Sequence, residues 1–496
     1  MCFGCATHFK QRKDMAMKVM LLVPPTDLKG SYGKLKKFSN PQPAIGMAYI
    51  AAVLRNDGID VKIIDAYVNE YALSEILSVL GEFEPDVVGI SVLTPSADVV
   101  CELARAIRAV NSSVKIVMGN MHASLFAEEL LLGGYADIIV HREGEVTVLE
   151  LVHILEKCGS LHGVAGISFK EGDEVIHNPL RPHIEDLDSL PYPAWDLMPL
   201  DKYNTDPRTV IKTGCVEQQI LASRGCPNQC TFCSSRTEKS LGSKYRMRSP
   251  SKVVDEMLYM HDRYGSKVFS FMDLAFPLVK QHAIELCKEI IGRRGKREIL
   301  WSTECRVKPL DKETLEYMKE SGCCRVNFGI ESGSIDILKS LKKNFTVDDV
   351  RVATRMAKEV GLEVDGMFMI GLPGETESAI RQTISLAISI DVRYAIFNIF
   401  VPYPGCELWD TLNAQKKISY KQWSDFTSYP TYGGGVPVYV PDGLSHKRLM
   451  ELQSMAMRKF YLRPKFILSE LRNFKFNKIS HYWDGFLGLM SSHSRG

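Results

Sequence analysis

No apolar run in this 496-residue chain reaches the roughly 18 residues that a membrane-spanning helix needs, so an integral helical membrane protein is set aside. Net charge is nearly absent too: 61 basic against 59 acidic residues leave +2, and bulk electrostatics point to no nucleic acid. Lys10, Arg12 and Lys13 near the N-terminus are followed by no apolar core of a cleavable signal peptide. Internal repeats and low-complexity segments are lacking, which excludes repeat architectures. The thirteen cysteines lack the regular spacing of a secreted disulfide framework, so a reducing cytoplasm fits best. Cys2 and Cys5 form a lone C-x2-C and read as part of a loose tail. What remains is a chain of 45% hydrophobic and 24% charged residues, ordinary for a soluble globular protein and long enough for two or three domains.

Three of the cysteines stand out. In Arg224-Gly225-Cys226-Pro227-Asn228-Gln229-Cys230-Thr231-Phe232-Cys233 the spacing C-x3-C-x2-C draws three thiolates from one short loop. Cysteine thiolates hold iron–sulfur clusters, and a four-iron cluster normally takes four. Three leave one iron open to a small molecule. The alternative is zinc, but zinc sites usually pair two knuckles at a distance, and no second knuckle of suitable spacing follows. Cys215, just upstream, is a candidate fourth ligand.

This motif resembles that of the radical S-adenosylmethionine (radical SAM) superfamily. The resemblance implies a [4Fe–4S] cluster on Cys226, Cys230 and Cys233, whose open iron is chelated by S-adenosylmethionine. It also implies reductive cleavage of the sulfonium C–S bond to a 5′-deoxyadenosyl radical, and a reductant such as a flavodoxin or ferredoxin.

Upstream, at about 16–155, strand and helix patterns alternate. Strands are expected at Lys18–Val23, Val61–Asp65, Val87–Leu93, Val114–Gly119 and Asp137–Val140, with a helix at Ile45–Arg55 and another carrying Val99, Leu103 and Ile107. Near-continuous apolar strands separated by helices predict a parallel α/β sheet covered on both faces, with flavodoxin-like order 2-1-3-4-5. Ligands of such sheets lie beyond the carboxyl ends of the strands. The loops there are 24–40, 65–70, 94–97 and 119–124. The layout resembles the cobalamin-binding domain found ahead of many radical SAM modules, whose fingerprint is D-x-H-x-x-G, S-x-L and G-G. Here Asp65 is kept, Tyr67 replaces the histidine and Glu70 the glycine. Ser91-Val92-Leu93 is kept, and of the glycine pair only Gly119. The resemblance implies a cobalamin touching Asp65, Ser91, Leu93 and Gly119 with no protein histidine on cobalt, because a neutral phenol is a poor cobalt ligand. His122 reads as a loop or cofactor-edge residue. Glu145, in His141-Arg142-Glu143-Gly144-Glu145, reads as an acid at a helix start.

Residues 156–214 form a proline- and acid-punctuated linker with a small hairpin at Gly166–Ile176. From 215 to 410 six strands are expected: Gln218–Ser223, Lys267–Met272, Leu300–Val307, Arg325–Ile330, Glu363–Ile370 and Ala395–Val401. Ser249, with Pro250 behind it, reads as the cap of a helix that ends at Gly265; Thr346 opens another that stops at Gly361. Six βα units predict a partial (β/α)6 barrel, with its chemistry at the carboxyl ends of the strands. The segments there resemble later radical SAM motifs. The resemblance places Asp273 near the methionine amine, Arg306 at its carboxylate, and Glu331 and Ser332 near the methionine or ribose. It places the backbone at Gly371 and Pro373 beside adenine.

Residues 411–496 read as a mostly helical region. Trp423, Phe426, Tyr429 and Tyr432 are expected over the barrel mouth, and Lys447–Arg472 as one or two helices packed on the barrel. Basic and aromatic residues mix at Phe460–Pro464 and Phe474–Phe476, and a peripheral membrane contact is the second reading of that region. Together these features are read as a cobalamin-dependent radical SAM methyltransferase acting on an unactivated carbon of a small, hydrophobic substrate. The alternatives are a ring-forming or oxidative cyclase on a tetrapyrrole or lipid, and a non-enzymatic corrinoid or iron sensor.

Overall fold

A computed structural model describes residues 17–25, 41–203, 217–237, 240, 242–472 and positions 483, 485 and 487. Cys2, Cys5, most of the 24–40 loop, Cys215 and the segment Phe474–Phe476 lie outside the described residues.

Apolar residues at every position of a strand require cover on both faces. Strand β1 (Lys18–Val23) meets this requirement: Val19 and Leu21 enter one core, Met20 and Leu22 the opposite one. It lies between β2 (Asp60–Asp65) and β3 (Val87–Ser91), followed outward by β4 (Lys115–Gly119) and β5 (Ile138–Val140), all parallel. The order 2-1-3-4-5 is therefore as expected. The hairpin adds β6 (Ile167–Glu171) and β7 (Glu174–His177) antiparallel onto β5, so the first sheet has seven strands and continues past residue 155.

The second sheet is the partial barrel. Its six parallel strands run in the order β15-β14-β13-β12-β11-β8. They are β8 (Glu217–Ile220), β11 (Val268–Phe271), β12 (Leu300–Cys305), β13 (Cys323–Glu331), β14 (Glu363–Ile370) and β15 (Ala395–Ile399). The strand expected over Gln218–Ser223 is shorter than the pattern implied. After Ile220 the chain leaves the sheet, and β9 (Ser223–Arg224) pairs antiparallel with β10 (Arg246–Met247). This ribbon, not the barrel strand itself, carries the cysteine loop. The helix Pro250–Tyr264 has its proline at the first turn and ends at Gly265 with φ 68°. Ser249 makes no side-chain cap; the linker carboxylate of Asp188 instead accepts from the Ser249 N–H at 3.1 Å. Thr346 does form a reciprocal capping box with Asp349.

An open barrel leaves an edge strand, and such edges need cover. The helix His446–Tyr461 supplies it at β15, burying Leu449, Leu452, Ala456 and Phe460. The following helix, Pro464–Arg472, is tied by an Arg393–Glu470 ion pair and exposes Ile467, Leu468 and Leu471. Among the described residues no helix is long and apolar enough to cross a membrane.

The two sheets are joined by a buried ion cluster. Arg224, on β9, directs Nη1 to Glu143 Oε1 at 2.9 Å and Nη2 to Glu145 Oε1 at 2.7 Å. Arg246, on β10, donates from Nη1 to both Glu143 oxygens at 2.9 Å and to the Ile184 carbonyl at 2.7 Å. Glu145 does open the helix Glu145–Glu156, as expected, but its carboxylate serves the other domain. Burial works against the Glu143 carboxylate, yet the two guanidiniums outweigh it and hold its pKa below the ordinary value.

A second buried carboxyl shapes the exit from β14. Gly371 has φ 82°, and Glu375 Oε2 accepts from the backbone N–H of Gly371 at 2.7 Å and of Leu372 at 3.1 Å. Burial outweighs these two bonds and raises the Glu375 pKa to about 7.

Two outcomes are expected. Arg224→Ala leaves two buried carboxylates without their best partner, and denaturant unfolding of the anaerobic protein should show a loss of about 3–5 kcal/mol. Glu375 holds its proton more tightly folded than unfolded, so its contribution is full below the unfolded value near 4.5 and lost as pH rises to about 7. At 1.36 kcal/mol per pKa unit that loss is about 3 kcal/mol. Glu375→Gln should flatten the dependence of the urea midpoint on pH over this window.

Candidate active site

Gly225 opens the cysteine loop at φ 86°, where a Cβ would lie 2.1 Å from the Lys244 carbonyl oxygen; only glycine fits. The Cys226 N–H donates to the Gly242 carbonyl at 3.2 Å, and Cys233 N–H to the Cys230 carbonyl at 3.2 Å. Thr231 is anchored to the barrel wall at Leu341 and to Leu408. All three thiols are free, Cys230 buried and the others half-buried.

Each sulfur has its own polar neighbour. Asn228 Nδ2 lies 3.3 Å from Cys226 Sγ, Arg306 Nη1 lies 3.5 Å from Cys230 Sγ, and Ser235 Oγ lies 3.0 Å from Cys233 Sγ. Among the described residues no three His, Cys, Asp or Glu side chains converge as ligands of a single ion. In a four-iron cluster each thiolate binds a different iron, so such convergence is not what the trio needs. Three unpaired thiols on one rigid loop, each beside a hydrogen-bonding group, fit a cluster.

The carboxyl ends of β11 to β14 surround this loop. Asp273 is buried, and its carboxylate accepts from the Ala222 N–H at 3.1 Å and from the Ser223 hydroxyl. Burial raises its pKa to about 6. Its partners are thus the residues that root the cysteine loop. Arg306, expected at a ligand carboxylate, spends Nη1 on Cys230 and Nη2 on the Lys343 carbonyl at 3.1 Å. Glu331 sits at a register shift between β13 and β14 with φ 67° and pairs with Lys343 at 2.8 Å, both largely buried. Ser332 is fully buried and its hydroxyl accepts from the Ser334 N–H at 3.2 Å, so it shapes the turn. Gly371 and Pro373 form the turn held by Glu375, with Pro373 half-exposed.

Sequence reading missed Glu304. It is accessible, yet protein surrounds it closely enough that burial, helped by the charge of Glu331, raises its pKa. Trp301 and Cys305 enter the core on one face of β12, so Glu304 faces the other side, the barrel interior. Strand register sets it beside Asn327, and Asn327 beside Asp365; one layer on, Met367 pairs with Ile396. Ile396 and Met272 are exposed to this space at 40% and 36%. The polar alternation Ser302, Glu304, Arg306 carried the signal, because every second residue of a strand faces one side. Lys343, Asn228 and Ser235 were missed because their partners are distant or local side-chain atoms that no periodicity marks.

At the first sheet, Asp65 is buried. Its carboxylate accepts from the Val68 N–H at 3.0 Å and from the hydroxyl of Tyr203, a linker residue, at 2.7 Å. Ser91 Oγ accepts from Asn120 Nδ2 at 3.0 Å. Leu93 is 52% exposed, an apolar side chain held at the carboxyl end of the sheet. Gly119 leaves room at the end of β4, where an added Cβ would meet nothing nearer than the Val140 carbonyl at 3.5 Å. A small residue and an accessible leucine at the carboxyl end of the strands suit the apolar flank of a large planar ligand. His122 lies at the same end, its backbone N–H on the Val92 carbonyl at 3.2 Å, but its ring is turned away from solvent. It is buried between Phe126 and Trp423, and burial lowers its pKa to about 4. Trp423 belongs to the C-terminal aromatic cluster, and its backbone N–H donates to the Asp98 carboxylate at 2.7 Å, so this segment spans from barrel to first sheet.

Comparison with known proteins gives the same division. Residues 35–152 match the B12 binding domain model, and residues 220–387 that of the radical SAM superfamily. An uncharacterized methyltransferase of Pyrococcus horikoshii is 34% identical over 92% of this chain and 95% of its own length. An anaerobic magnesium-protoporphyrin IX monomethyl ester cyclase of Cereibacter sphaeroides is 27% identical over 85% of this chain and 67% of its own. Among solved structures, the radical S-adenosylmethionine methyltransferase TsrM of Kitasatospora setae, with cobalamin and a [4Fe–4S] cluster bound, superposes with a TM-score of 0.70. It is 16% identical, over 91% of this chain and 90% of that one. The chain belongs to the family of radical SAM enzymes that carry a B12-binding domain, a family of methyltransferases and cyclases.

Proposed function

We propose that the protein is a cobalamin-dependent radical SAM methyltransferase that places a methyl group on an unactivated carbon of a small molecule. The observation that carries this reading is the ion cluster Arg224–Glu143–Glu145. It fixes the B12-type sheet directly to the strand that launches Cys226, Cys230 and Cys233. When bound, the cluster and S-adenosylmethionine supply hydrogen abstraction, and the corrinoid supplies the methyl group; the protein supplies binding, orientation and exclusion.

The chain's own residues divide that work. Cys226, Cys230 and Cys233 hold the cluster. Asp273 is a positioning residue that secures the root of their loop. Glu331, Ser332, Gly371 and Pro373 shape the wall on which S-adenosylmethionine lies, and Arg306 borders it at Cys230. Asp65, Ser91, Leu93 and Gly119 border the corrinoid. Glu304 and Asn327 face the substrate amid Met272, Met367 and Ile396, which suits an apolar body with one hydrogen-bonding group. We further propose a cytoplasmic setting and a small electron-transfer protein as reductant.

The cyclase reading has a specific observation in its favour, the likeness to the Cereibacter enzyme over most of the chain. Products separate the two. Methyl transfer yields a methylated product and S-adenosylhomocysteine; cyclisation yields neither.

The anaerobically purified protein should show a corrinoid absorption spectrum above that of the cluster, and should form 5′-deoxyadenosine when given reductant and S-adenosylmethionine. Replacement of any one of Cys226, Cys230 or Cys233 by Ala should abolish the cluster and that product. Full activity in such a variant, or zinc at the trio in oxygen-free preparations, would refute the reading.

A further inference from the structure

We infer that Asn228, Arg306 and Ser235 form a set of sulfur-directed donors that raises the reduction potential of the cluster, one donor for each cysteine. The inference rests on the assignment of the trio as cluster ligands. It goes beyond that assignment by giving three side chains other than the cysteines a role in the electron-transfer step.

The geometry is one-to-one. Asn228 Nδ2 stands 3.3 Å from Cys226 Sγ, Arg306 Nη1 3.5 Å from Cys230 Sγ, and Ser235 Oγ 3.0 Å from Cys233 Sγ. A cysteine bound to iron is a thiolate and has no proton to give. In the loaded protein the Ser235 hydroxyl must therefore be the donor of its pair. Amide and guanidinium N–H groups have no other role open to them.

Arg306 differs from the other two in charge and in fixity. Its Nη2 is tied to the Lys343 carbonyl at 3.1 Å, and its guanidinium stands 6.0 Å from the Phe345 ring centre. Among the described residues no carboxylate pairs with it. The neighbouring cation, Lys343, is neutralised by Glu331 at 2.8 Å. One uncompensated positive charge is thus aimed at the most buried sulfur of the three.

Reduction adds one electron, and so one negative charge, to cluster and thiolates. N–H and O–H dipoles pointed at sulfur, and a cation beside it, stabilise the more negative state; hydrogen bonds to the sulfurs and net charge are known determinants of cluster potential. The set therefore makes the cluster easier to reduce by a cellular donor. The cost is a smaller driving force for the electron's onward transfer to the sulfonium.

The test is an EPR-monitored redox titration of the anaerobically reconstituted full chain with dithionite and mediators. S-adenosylmethionine is left out, so that contact between Arg306 and its carboxylate contributes nothing. Arg306→Gln should lower the equilibrium constant for reduction about tenfold, which is about 59 mV for a one-electron couple. Asn228→Leu and Ser235→Ala should each lower it about threefold, and Arg306→Lys should fall between wild type and Arg306→Gln. Potentials equal to wild type in Arg306→Gln, Asn228→Leu and Ser235→Ala, at unchanged iron and sulfide content, would overturn the inference. Should Arg306→Gln fail to hold a cluster, the other two variants decide by the same criterion. A wild-type chain with no reducible cluster is a different failure, because it removes the assignment on which the inference rests.

Discussion

The buried contact between Arg224 and the carboxylates of Glu143 and Glu145 is the constraint on which the rest of the molecule depends. Arg224 stands two residues before Cys226, so the cysteine loop inherits its position from the first domain as much as from the barrel. Isolated buried ions are costly, and the cluster is tolerable because nearly every strong acceptor is used. Glu143 accepts from Arg224, Arg246 and the Ile184 N–H, while Arg246 also donates to the Ile184 carbonyl. The linker is thus bound into the same knot, and first sheet, linker and ribbon cannot shift independently. Two cofactors that must meet over one substrate require this kind of fixed spacing, since misplacement by a fraction of an ångström erodes an oriented reaction steeply.

Beyond that knot the C-terminal segment covers one edge of the barrel. The barrel stops at six strands, and the helix His446–Tyr461 covers the edge at β15. Gln453 on that helix donates to the carbonyls of Phe397 and Ser428, which ties the cover to both the strand and the aromatic segment before it. That segment continues to Trp423, which reaches His122 and Asp98 of the first domain. Linker and C-terminal segment therefore bridge the two sheets at separate places. On the barrel side, strand register brings Glu304 beside Asn327 and Met367 beside Ile396.

Most of this architecture was legible in the sequence, because its causes are local and periodic. Both-face burial wrote continuous apolar strands, and the alternating helices forced parallel order. The cysteine spacing is a contact between near neighbours and needed no fold to be seen. The illegible parts have long-range causes. Nothing in the strand pattern around Ala222 shows that Asp273, fifty-one residues on, draws that N–H out of the sheet and lets β9 begin. Ser249 has the residue type of a helix cap, but Asp188 from the linker takes the backbone N–H there. Glu145 was legible as an acid at a helix start, not as the partner of an arginine seventy-nine residues away. Asp65 kept its place in the cobalamin fingerprint, while its partner, Tyr203, lies in a linker that carries no periodicity at all.

The tyrosine at position 67 bears on the first domain as well. In the fingerprint Asp-x-His the carboxylate stands two residues before the ligand histidine, and a carboxylate so placed can orient and polarise an imidazole. Here position 67 is tyrosine, and both carboxylate oxygens are engaged: one accepts from the backbone of Val68 and the other from the Tyr203 hydroxyl. Raised in pKa by burial, Asp65 gains from both bonds and has become a structural tie between the β2 loop and the linker. Lys202 adds to the same tie through Asn69 at 2.7 Å. Placing histidine at position 67 alone would therefore not create a polarised ligand, because the carboxylate that would orient it is already committed. With tyrosine at position 67, the Asp65 carboxylate ties the loop after β2 to the segment that leads to the barrel.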